Sequence, residues 1–483
     1  MRENYTMLFD FYEMTMANGY FNSDYKSKIV YFDVFYRSVP DKGGYAICCG
    51  LESIINYIKD LHFTIEDIEY LRSKNCFSDE FLEYLKEFKF HGDIWAAPEG
   101  TIIFPNEPVV TVRANIIEAQ LIETYLLLSI NYQSLIATKT KRIVEAAKGR
   151  AVMEFGSRRA QGESAALLGA RSAYIAGAVG TACAMADVRY HVPALGTMAH
   201  SWVQTFDDEY DAFCTYCKTY PNNATLLVDT YNVLKSGVPN AIKAFKEVLW
   251  PLGIKKCAIR IDSGDITYLS KKARKMLDDA GLHECKICVS NSLDEFLIKD
   301  LLEQGAPIDS FGVGERLITS KSEPVFGGVY KLVAIEEDGK IVPRIKISEN
   351  EAKITNPGFK KVYRFYSKDT NKALADLLCL HDEVIDETKP YIIFDPVQTW
   401  KQKELNDFYV KEVLVPIFKN GELVYSMPTV EEIRANCERE FNTLWNENTR
   451  FSNPNKYYVD LSQKLWDLKN ELLTTYFNKY NKK

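Results

Sequence analysis

Residues 257–290 read CAIRIDSGDITYLSKKARKMLDDAGLHECKICVS and contain two short apolar runs on either side of a longer amphipathic run. The apolar runs, CAIRID and KICVS, have the length and composition of strands that are buried on both faces of a parallel sheet. The segment between them carries apolar residues at helical spacing and ends at Gly281. The stretch therefore predicts a strand, a helix and a second strand parallel to the first.

The same alternation extends over residues 151–314. Five further strand-like runs are separated by helical patterns or short loops: AVMEF, TACAM, LGTMA, TLLVDTY and DSFGVG. Together with the two above they make seven, which predicts an α/β fold whose parallel strands close into an irregular barrel. An open doubly wound sheet is the alternative. No GxGxxG motif opens the first strand–helix turn, so we do not expect dinucleotide binding.

The segments on both sides of this region are rich in β patterns. KIVYFDVFYR at 28–37 is strand-like, and VYKLVAIEEDGKIVPRIKI at 329–347 predicts a hairpin that turns at Asp338-Gly339. We expect these segments to pack as one discontinuous α+β sandwich domain. The predicted domains are an N-terminal sandwich over 1–115 that 330–400 joins, a catalytic barrel over 116–329 and a C-terminal helical extension over 401–483.

Composition excludes several classes of protein. The chain has 483 residues, 46% of them hydrophobic, and a net charge of −7, so it is too long and too apolar for a disordered or disulfide-stapled protein. An acidic chain lacks the basic field that drives non-specific binding to nucleic acid or anionic membranes. We expect neither partner, and any polyanionic ligand must be held by local groups.

The cysteines indicate a reducing compartment. Their number, eleven, is odd, and the N-terminal stretch lacks the pattern of a signal peptide, so we expect a cytoplasmic protein with buried thiols. The pairs Cys214/Cys217 and Cys285/Cys288 have zinc-ligand spacing. The first falls in a helical pattern and the second in a strand, where residues three apart point to opposite faces, so we do not expect a shared zinc site.

The chemistry is predicted at the strand ends, because the carboxyl ends of parallel strands and their loops converge on one mouth. These positions offer arginine for phosphate, aspartate for Mg²⁺ or ribose hydroxyls, and backbone amides at glycine, as an anionic phosphorylated substrate with a divalent cation would need. The candidates are Arg158, Arg159, Thr197, His200, Ser201, Arg260, Asp262, Ser290, Asn291, Gly312, Gly314 and Glu315.

Several candidates have a structural alternative. Arg158 and Arg159 could pair with nearby acids, and Gly312 and Gly314 could mark a bulge or close packing instead of a phosphate site. We assign chemistry to Asp262 and a helix N-cap to Asp265. His200 follows a strand-like run between small and polar neighbours, which favours a nucleophilic or acid–base role.

Seven motifs in order along nearly the whole chain carry a resemblance to a known family. They are LFDFYEMTMANGYF, EFGSRRAQG, GTMAHSWV, LLVDTYNVLKSGVPNAI, IRIDSGD, VSNSLDE and FGVGERLITS. The chain resembles the nicotinate phosphoribosyltransferases, which are type II phosphoribosyltransferases. The resemblance implies a barrel with an N-terminal sandwich, a homodimer with shared active sites, and a reaction that forms nicotinate mononucleotide for NAD salvage. Nicotinate, 5-phosphoribosyl 1-diphosphate, ATP and Mg²⁺ are the implied small molecules.

The resemblance also implies residue roles. His200 would be the histidine that ATP phosphorylates, and Asp262 would act in catalysis and hold the metal. Tyr12 would stack on the pyridine ring, and because it lies in the small domain, remote in sequence from the barrel mouth, we expect it to reach the partner's active site. Arg158, Thr197 and Arg260 would bind nicotinate. The phosphoribosyl group and its phosphate would be held by Ser201, Ser290, Asn291, Gly312, Gly314 and Glu315.

The chain departs from the family pattern at two places. Asn232 and Val233 follow VDTY where the family has an acid and a hydroxyl, and Glu315 stands where a phosphate-binding threonine would lie. Two alternatives therefore stay open. One is nicotinamide phosphoribosyltransferase, whose members carry an acid at the position of Met198, and the other is an inactive barrel that senses pyridine nucleotides.

Overall fold

The computed structural model describes residues 4–349 and 353–481. The chain divides into two compact units. We call Met1–Leu135 with Val325–Lys483 the discontinuous unit and Ile136–Pro324 the central unit. These limits differ from the expected boundaries near residues 115 and 330, because part of a long helix over Glu123–Ala146 belongs to the discontinuous unit.

The strands are, in chain order, β1 (Ile29–Phe35), β2 (Ala46–Ile47), β3 (Asp93–Ala96), β4 (Ile102–Ile103), β5 (Val110–Asn115), β6 (Ala151–Glu154), β7 (Thr225–Leu227), β8 (Ala258–Ile261), β9 (Lys286–Ser290), β10 (Ser310–Val313), β11 (Val329–Glu337), β12 (Lys340–Pro343), β13 (Lys360–Ser367), β14 (Ala373–Leu380), β15 (Tyr391–Phe394), β16 (Gln402–Leu405), β17 (Phe408–Glu412), β18 (Val415–Lys419), β19 (Glu422–Leu423) and β20 (Val459–Leu461).

The α-helices are α1 (Phe11–Phe21), α2 (Leu51–Asp60), α3 (Ile65–Ser73), α4 (Asp79–Lys86), α5 (Ile116–Leu121), α6 (Glu123–Ala146), α7 (Glu163–Ile175), α8 (Ala184–Tyr190), α9 (His200–Gln204), α10 (Glu209–Thr219), α11 (Val238–Ala244), α12 (Ile266–Asp279), α13 (Glu295–Glu303), α14 (Glu315–Ile318), α15 (Val430–Asn442), α16 (Asn446–Thr449) and α17 (Gln463–Asn481).

The central unit contains a parallel sheet with the order β6-β10-β9-β8-β7. Its strands are short and mostly buried, and five of the seven predicted strands form. The other two predictions are wrong. TACAM contributes a single parallel bridge at Thr181 and then enters α8, because its Ala-rich continuation favours helix, and LGTMA follows a single bridge at Ala194 without forming a strand.

Helices follow the strands of this sheet, as the alternating pattern predicts. In α12 the side chain of Asp265 accepts a hydrogen bond from the Tyr268 N–H at 2.9 Å, so Asp265 is confirmed as an N-cap. One face of α12 is buried at Ser270, Ala273 and Leu277. The cap fixes where the helix begins and therefore holds the turn between Ile261 and α12.

The discontinuous unit is built on a seven-stranded sheet with the order β12-β11-β1-β5-β3-β18-β19. β1 lies between β5 and β11, and β3 pairs with β18, so both ends of the chain contribute to one sheet. The hairpin between β11 and β12 is confirmed, with φ of 49° at Asp338 and 73° at Gly339. Both values lie in the left-handed region that a two-residue hairpin turn requires.

Residues 401–483 are more than the expected helical extension. They contribute β16, β17, β18, β19 and β20 as well as three helices. β17 and β20 complete a four-stranded sheet with the order β17-β13-β14-β20. The prediction missed these strands because they are short, while the longest element of the segment, α17, has a regular leucine spacing.

A buried ionic cluster lies under this four-stranded sheet. Arg364 on β13 is 1% exposed and donates to both carboxylate oxygens of Asp376 on β14, at 2.8 and 2.7 Å. It also donates to Glu440 at 3.2 Å and to the carbonyl of Ile102 at 2.8 Å. All these groups lie within the discontinuous unit.

The structure also bears on membrane-spanning helices and on the burial of the cysteines. Within the described residues, no helix has both the length and the apolar content needed to cross a membrane. Nine cysteines are buried, but Cys76 is exposed and Cys183 is partly exposed, so the expectation of eleven buried thiols is wrong at these two positions. Cys76 lies in the loop between α3 and α4 and Cys183 directly precedes α8, and the burial of such positions depends on the loop and cannot be predicted from the residue type.

Candidate functional site

The carboxyl ends of the parallel strands bring most of the predicted side chains together in the central unit. Arg260 lies in β8, Ser290 ends β9, and Asp262 follows β8 directly. Thr197 and His200 come from the segment that follows the bridge at Ala194. Because these positions all lie at the same edge of a parallel sheet, their side chains meet.

The guanidinium of Arg260 is the centre of this cluster. Its Nε donates to Ser290 Oγ at 2.8 Å, and one terminal nitrogen donates to Thr197 Oγ1 at 3.1 Å and to the Met198 carbonyl at 3.4 Å. The other terminal nitrogen donates to Asp262 Oδ1 at 2.9 Å. The side chain is 16% exposed, so a planar cation is held in a fixed orientation with access to solvent.

Asp262 is tied to the neighbouring strands. Its Oδ1 also accepts a short hydrogen bond from Ser290 Oγ. Its backbone N–H donates to Asp229 Oδ2 at 3.0 Å, and Ser263 Oγ donates to the same oxygen at 2.6 Å. Two carboxylates are thus fixed side by side at the ends of β7 and β8.

The two carboxylates could take part in binding a divalent cation. The Oδ1 atom of Asp229 is buried and accepts no hydrogen bond from any described group. Among the described residues, no group of three or more His, Cys, Asp or Glu side chains is placed to hold a metal. The donor set therefore fits Mg²⁺ that takes one or two protein carboxylates and draws its other ligands from substrate phosphates and water.

His200 begins α9 and its imidazole lies beside Asp262. Its Nε2 is 3.8 Å from Asp262 Oδ2, and its Nδ1 is 3.1 Å from Thr230 Oγ1. The side chain is 41% exposed. One ring nitrogen is thus oriented by a hydroxyl while the other faces a carboxylate near solvent, an arrangement that suits a nucleophilic or acid–base histidine.

Phe155, directly after β6, forms an apolar face next to Arg260. The Cζ atom of Arg260 lies 5.9 Å from the centroid of the phenyl ring. A Cβ at Gly312 would lie 2.6 Å from Phe155 Cδ2, and one at Gly314 would lie 3.1 Å from the Phe155 carbonyl. Close packing on Phe155 therefore gives both glycines a structural reason, and their role in phosphate binding stays a prediction.

Glu154 holds the turn that carries the arginine pair. Its carboxylate is completely buried, accepts from Thr181 Oγ1 at 2.6 Å and makes a short hydrogen bond with the Gly156 N–H. Burial raises the pKa of this carboxyl above its usual range. Arg158, on the turn that follows, is exposed and forms no ion pair within the described part of the chain.

Glu315 is neutralised locally. Its carboxylate accepts from Lys321 Nζ at 2.6 Å, and this ammonium, with a smaller contribution from Arg159, lowers the pKa of Glu315. The neighbouring Arg316 forms a short ion pair with Asp294. The acid that departs from the family pattern is therefore paired with a cation, which weakens its expected repulsion of a phosphate.

Two predicted residues, Ser201 and Asn291, lie near the cluster. Among the described residues, neither forms a hydrogen bond with a member of the cluster. Ser201 is exposed on α9, and its carbonyl accepts from Thr205 Oγ1 at 2.7 Å. Asn291 follows β9 with φ of 82°, and Ser292 has φ of 50°. Two consecutive residues in the left-handed region are strained, as is common for loops at functional sites.

Tyr12 lies outside the central unit. It is on α1 of the discontinuous unit, its side chain is 46% exposed, and Phe11 beside it is 44% exposed. Partial burial raises the pKa of the Tyr12 hydroxyl above its usual value, and the negative charge of Glu123 raises it further. The ring is available for an aromatic contact on this surface.

Phe155 was not predicted as a site residue, whereas Asp229 and Thr230 lie at the end of the predicted strand run TLLVDTY but were assigned no role. Phe155 directly follows β6, and Asp229 and Thr230 are the second and third residues after β7, so the strand-exit rule contains the signal for all three. Phe155 was not predicted as a site residue because an aromatic side chain next to a buried strand is typical of the hydrophobic core. A parallel sheet with a polar, partly exposed cluster at its carboxyl edge defines an enzyme of the mixed α/β class.

Comparisons with known proteins identify the family. Three family models match in sequence: the nicotinate phosphoribosyltransferase N-terminal domain over residues 7–131, the nicotinate phosphoribosyltransferase family over 150–364, and the C-terminal domain over 359–469. A nicotinate phosphoribosyltransferase of Bacillus subtilis is 44% identical over 95% of this chain and 93% of that protein. The chain belongs to the nicotinate phosphoribosyltransferase family.

Solved structures agree with this assignment. The crystal structure of human nicotinic acid phosphoribosyltransferase superposes with a TM-score of 0.83 at 27% identity, covering 96% of this chain and all of that chain (100%). A nicotinate-nucleotide pyrophosphorylase from Pyrococcus furiosus, at 24% identity, has a TM-score of 0.71 over 92% of this chain and 97% of its own. The second match shows a shared fold.

Proposed function

We propose that this protein joins nicotinate to 5-phosphoribosyl 1-diphosphate and forms nicotinate mononucleotide and diphosphate. The observation that supports the proposal most directly is the position of Arg260. Its guanidinium is held at the strand ends by hydrogen bonds to Thr197, Ser290 and Asp262, in a chain that matches this family. A planar cation with a neighbouring hydroxyl suits the carboxylate of nicotinate.

Discrimination against nicotinamide follows from the same groups. An amide bound at Arg260 would leave the cation without an anionic partner from the substrate, which costs about 1–3 kcal/mol. The position where nicotinamide-specific relatives are expected to carry an acid is Met198, which is 6% exposed and presents its carbonyl to Arg260. No carboxylate is available there to accept from an amide NH₂, so nicotinate is the favoured base.

Catalysis in this site depends on positioning and charge. As diphosphate leaves, the anomeric carbon gains positive charge, and bond formation with the pyridine nitrogen needs no proton from the protein. Phe155 offers a flat apolar face beside Arg260. Asp262 and Asp229, which are held side by side, would place negative charge near the ribose. Arg158 would pair with the carboxylate or a phosphate, and the turns at Ser290-Asn291 and at Gly312–Glu315 would receive the phosphoribosyl group.

Mg²⁺ is the proposed metal, and Asp262 and Asp229 are the residues that would hold it. When bound, it neutralises the diphosphate as a leaving group. Asp229 supports this assignment through its buried Oδ1 atom, to which no described group donates. The Oδ1 atom of Asp262 accepts hydrogen bonds from Arg260 and Ser290. Its Oδ2 atom is therefore available to a ligand or to His200.

ATP is the proposed co-substrate, with His200 as the group that accepts its phosphate. The exposed imidazole can reach a nucleotide, and Thr230 orients Nδ1 so that Nε2 points toward the cluster. A phosphorylated imidazole adds about two negative charges, which can pair with the arginines and the metal and tighten the donor site before the phosphate is hydrolysed. His200 would therefore couple ATP to binding and would not take part in the glycosyl transfer.

One assay tests the reaction. Purified protein is incubated with nicotinate, the diphosphate donor, Mg²⁺ and ATP, and nicotinate mononucleotide is quantified by chromatography. We expect product only when nicotinate and the donor are both present, and a kcat/KM for nicotinate at least tenfold above that for nicotinamide. Comparable values for the two bases would contradict the assignment of the base.

A second assay tests His200. His200→Ala should lose ATP hydrolysis and acid-labile phosphate labelling, yet retain weak ATP-independent synthesis at high substrate concentration. Ser201→Ala, the adjacent exposed residue, is the control for a local change in α9 and should still be labelled. ATP hydrolysis in step with product by His200→Ala would exclude the proposed role.

We also propose the finer architecture that the resemblance implies. The single parallel bridges at Thr181 and Ala194 extend the sheet beyond β6, which supports an irregular barrel in the central unit, and the sheets of the discontinuous unit support a sandwich. The exposed rings of Phe11 and Tyr12 support a homodimer in which Tyr12 serves the partner's site. The expected cytoplasmic location stays a prediction.

Subunit mixing tests the shared site. Tyr12→Ala and His200→Ala proteins, each lacking ATP-coupled synthesis, are mixed and allowed to exchange subunits, and ATP-coupled synthesis is then measured. We expect partial recovery, because a mixed dimer would contain one site with both residues intact. No recovery after exchange has been verified by mass would contradict a shared site.

A further inference from the structure

The discontinuous unit contains a cavity that the proposed reaction does not use. It has a volume of about 520 Å³ and is lined by residues of β13, β17 and α15 and of the loop that precedes β4. Every lining residue belongs to the discontinuous unit. The volume lies in the usual range of small-molecule sites, about 300–1,000 Å³.

One wall of the cavity is aromatic and apolar. Tyr366 on β13 stacks on Tyr409 with ring centroids 5.1 Å apart, and Tyr425 and the buried side chain of Ile433 also line the space. Burial raises the pKa of the Tyr425 hydroxyl, so this group stays protonated and can donate a hydrogen bond. A planar ring would find both apolar contact and a donor here.

The acidic residues around the cavity are already bonded to the protein. Four glutamates line it, and each accepts from a protein group: Glu99 from the Gly50 N–H at 2.7 Å, Glu412 from Lys361 at 3.1 Å, Glu432 from the Thr429 N–H at 2.7 Å and Glu440 from Arg364 at 3.2 Å. Glu412 and Glu440 are thus paired with cations, and Glu99 and Glu432 accept from backbone N–H groups.

The two other cations of the lining differ from Arg364. Lys411 Nζ lies over the Tyr366 ring, 5.3 Å from its centroid, and Arg439 donates to Asn436 Oδ1 at 3.1 Å. Within residues 4–349 and 353–481, neither forms an ion pair with a carboxylate. Lys411 is directly opposite Arg364 in the β13–β17 pair, so it lies on the same face of the sheet as the buried ion pair of Arg364.

We propose that this cavity binds a small organic anion with a planar ring. The phosphate or carboxylate pairs with Lys411 and Arg439, and the ring packs against Tyr366 and Ile433. A mononucleotide combines both features, and the proposal does not depend on the reaction of the central unit.

Isothermal titration calorimetry tests the site with three probes: adenosine 5′-monophosphate, benzoate and inorganic phosphate. We expect saturable binding of the nucleotide, and a Kd at least tenfold higher for Lys411→Ala/Arg439→Ala. Lys419→Ala/Arg450→Ala removes two exposed cations of the same unit outside the cavity and should leave the Kd unchanged. Arg260→Ala should also leave it unchanged, which separates this site from the proposed active site.

A second variant guards against indirect effects of the charge changes. Ala435→Trp fills the cavity from the exposed side of α15 without altering a charge, and it should also raise the Kd at least tenfold. The proposal fails if neither the nucleotide nor benzoate binds, if phosphate alone binds, or if both cavity variants retain the wild-type Kd. Loss of binding only in Arg260→Ala would place the probe at the strand ends and would also overturn it.

Discussion

Arg260 and Arg364 both pair with an aspartate, but the two regions use the pair differently. In the central unit Arg260 is 16% exposed and its partner Asp262 is 28% exposed, and its other hydrogen-bond partners, Ser290, Thr197 and the Met198 carbonyl, are neutral. In the discontinuous unit Arg364 is 1% exposed, and two carboxylates and a carbonyl accept from it. Both regions contain an Arg–Asp ion pair. Its exposure to solvent determines whether the pair can also bind a ligand or only contributes to the packing of the fold.

The difference follows from the two kinds of sheet. Strand ends of a parallel sheet point to a shared edge, so a polar side chain there keeps access to solvent and substrate. Arg364 instead lies within β13, between β14 and β17. An ion pair buried in that position gains little net stability, yet removing one partner leaves an uncompensated charge.

The largest expected effect is on stability and comes from Arg364. Arg364→Ala leaves the fully buried Asp376 without its counter-charge, so we expect the free energy of unfolding to fall by about 3–5 kcal/mol. Urea denaturation followed by tryptophan fluorescence measures it. Arg260→Ala is the matched control and should lose less than about 2 kcal/mol. Equal losses in the two variants would remove the distinction between the regions.

The second effect is on activity and comes from Arg260. Arg260→Ala removes a charged partner of the nicotinate carboxylate, worth about 1.5–3 kcal/mol, so kcat/KM for nicotinate should fall roughly 10- to 150-fold. Arg260→Lys keeps the charge but not the planar fork, and should recover only part of the loss. Steady-state kinetics decide this, and an unchanged kcat/KM would show that Arg260 acts only in the fold.

A third effect concerns pH and the buried Glu13 of α1. Burial raises the pKa of this carboxyl from 4.5 to about 7, although Thr124 donates to it. The folded protein therefore keeps a proton that the unfolded chain releases, and the stability that Glu13 contributes is lost as the pH rises through 7. Glu13→Gln, which mimics the protonated form, should gain about 1–2 kcal/mol at pH 8 and almost nothing at pH 5.

Thermal unfolding at the two pH values measures this difference. Glu66→Gln, an exposed acid in the first turn of α3, is the control and should behave like the wild type at both. An equal gain for Glu13→Gln at pH 5 and pH 8 would show that the carboxyl is not protonated in the folded state.

The smallest effect is expected at Glu315. Glu315→Thr removes one negative charge and releases Lys321, so the KM for the diphosphate donor should fall by about two- to threefold, since an exposed ion pair is worth less than about 1 kcal/mol. Glu303→Thr removes an exposed acid at the end of α13 and should leave this KM unchanged. A raised KM for Glu315→Thr would show that the carboxylate supports the loop.

Residue patterns predicted the part of the fold that local signals determine. Five buried strands, the helices between them and the Asp338-Gly339 turn all formed, because each has a signal within a few residues. β14 was missed. Its sequence, ALADLLCL, is rich in alanine and leucine, which favour helix, and its strand form depends on pairing with β13.

The candidate site shows the same limit. Thr197, His200, Arg260, Asp262 and Ser290 meet because each lies close to the end of a strand or bridge, a relation that sequence order reveals. The packing of Phe155 against Gly312 depends on which strands are neighbours, since β6 pairs with β10 across 150 residues of chain or more. The strand order of the sheet cannot be read from one sequence.

The interrupted sheet of the discontinuous unit has a consequence for synthesis on the ribosome. β3 cannot gain its neighbour β18 until Val415–Lys419 has been translated, whereas the central unit possesses all five strands of its sheet once Val313 has emerged. Domains generally fold as units during translation, at about 5–20 residues per second. The central unit therefore has time to fold first, while β3 keeps an unpaired edge that is prone to aggregation until β18 is made.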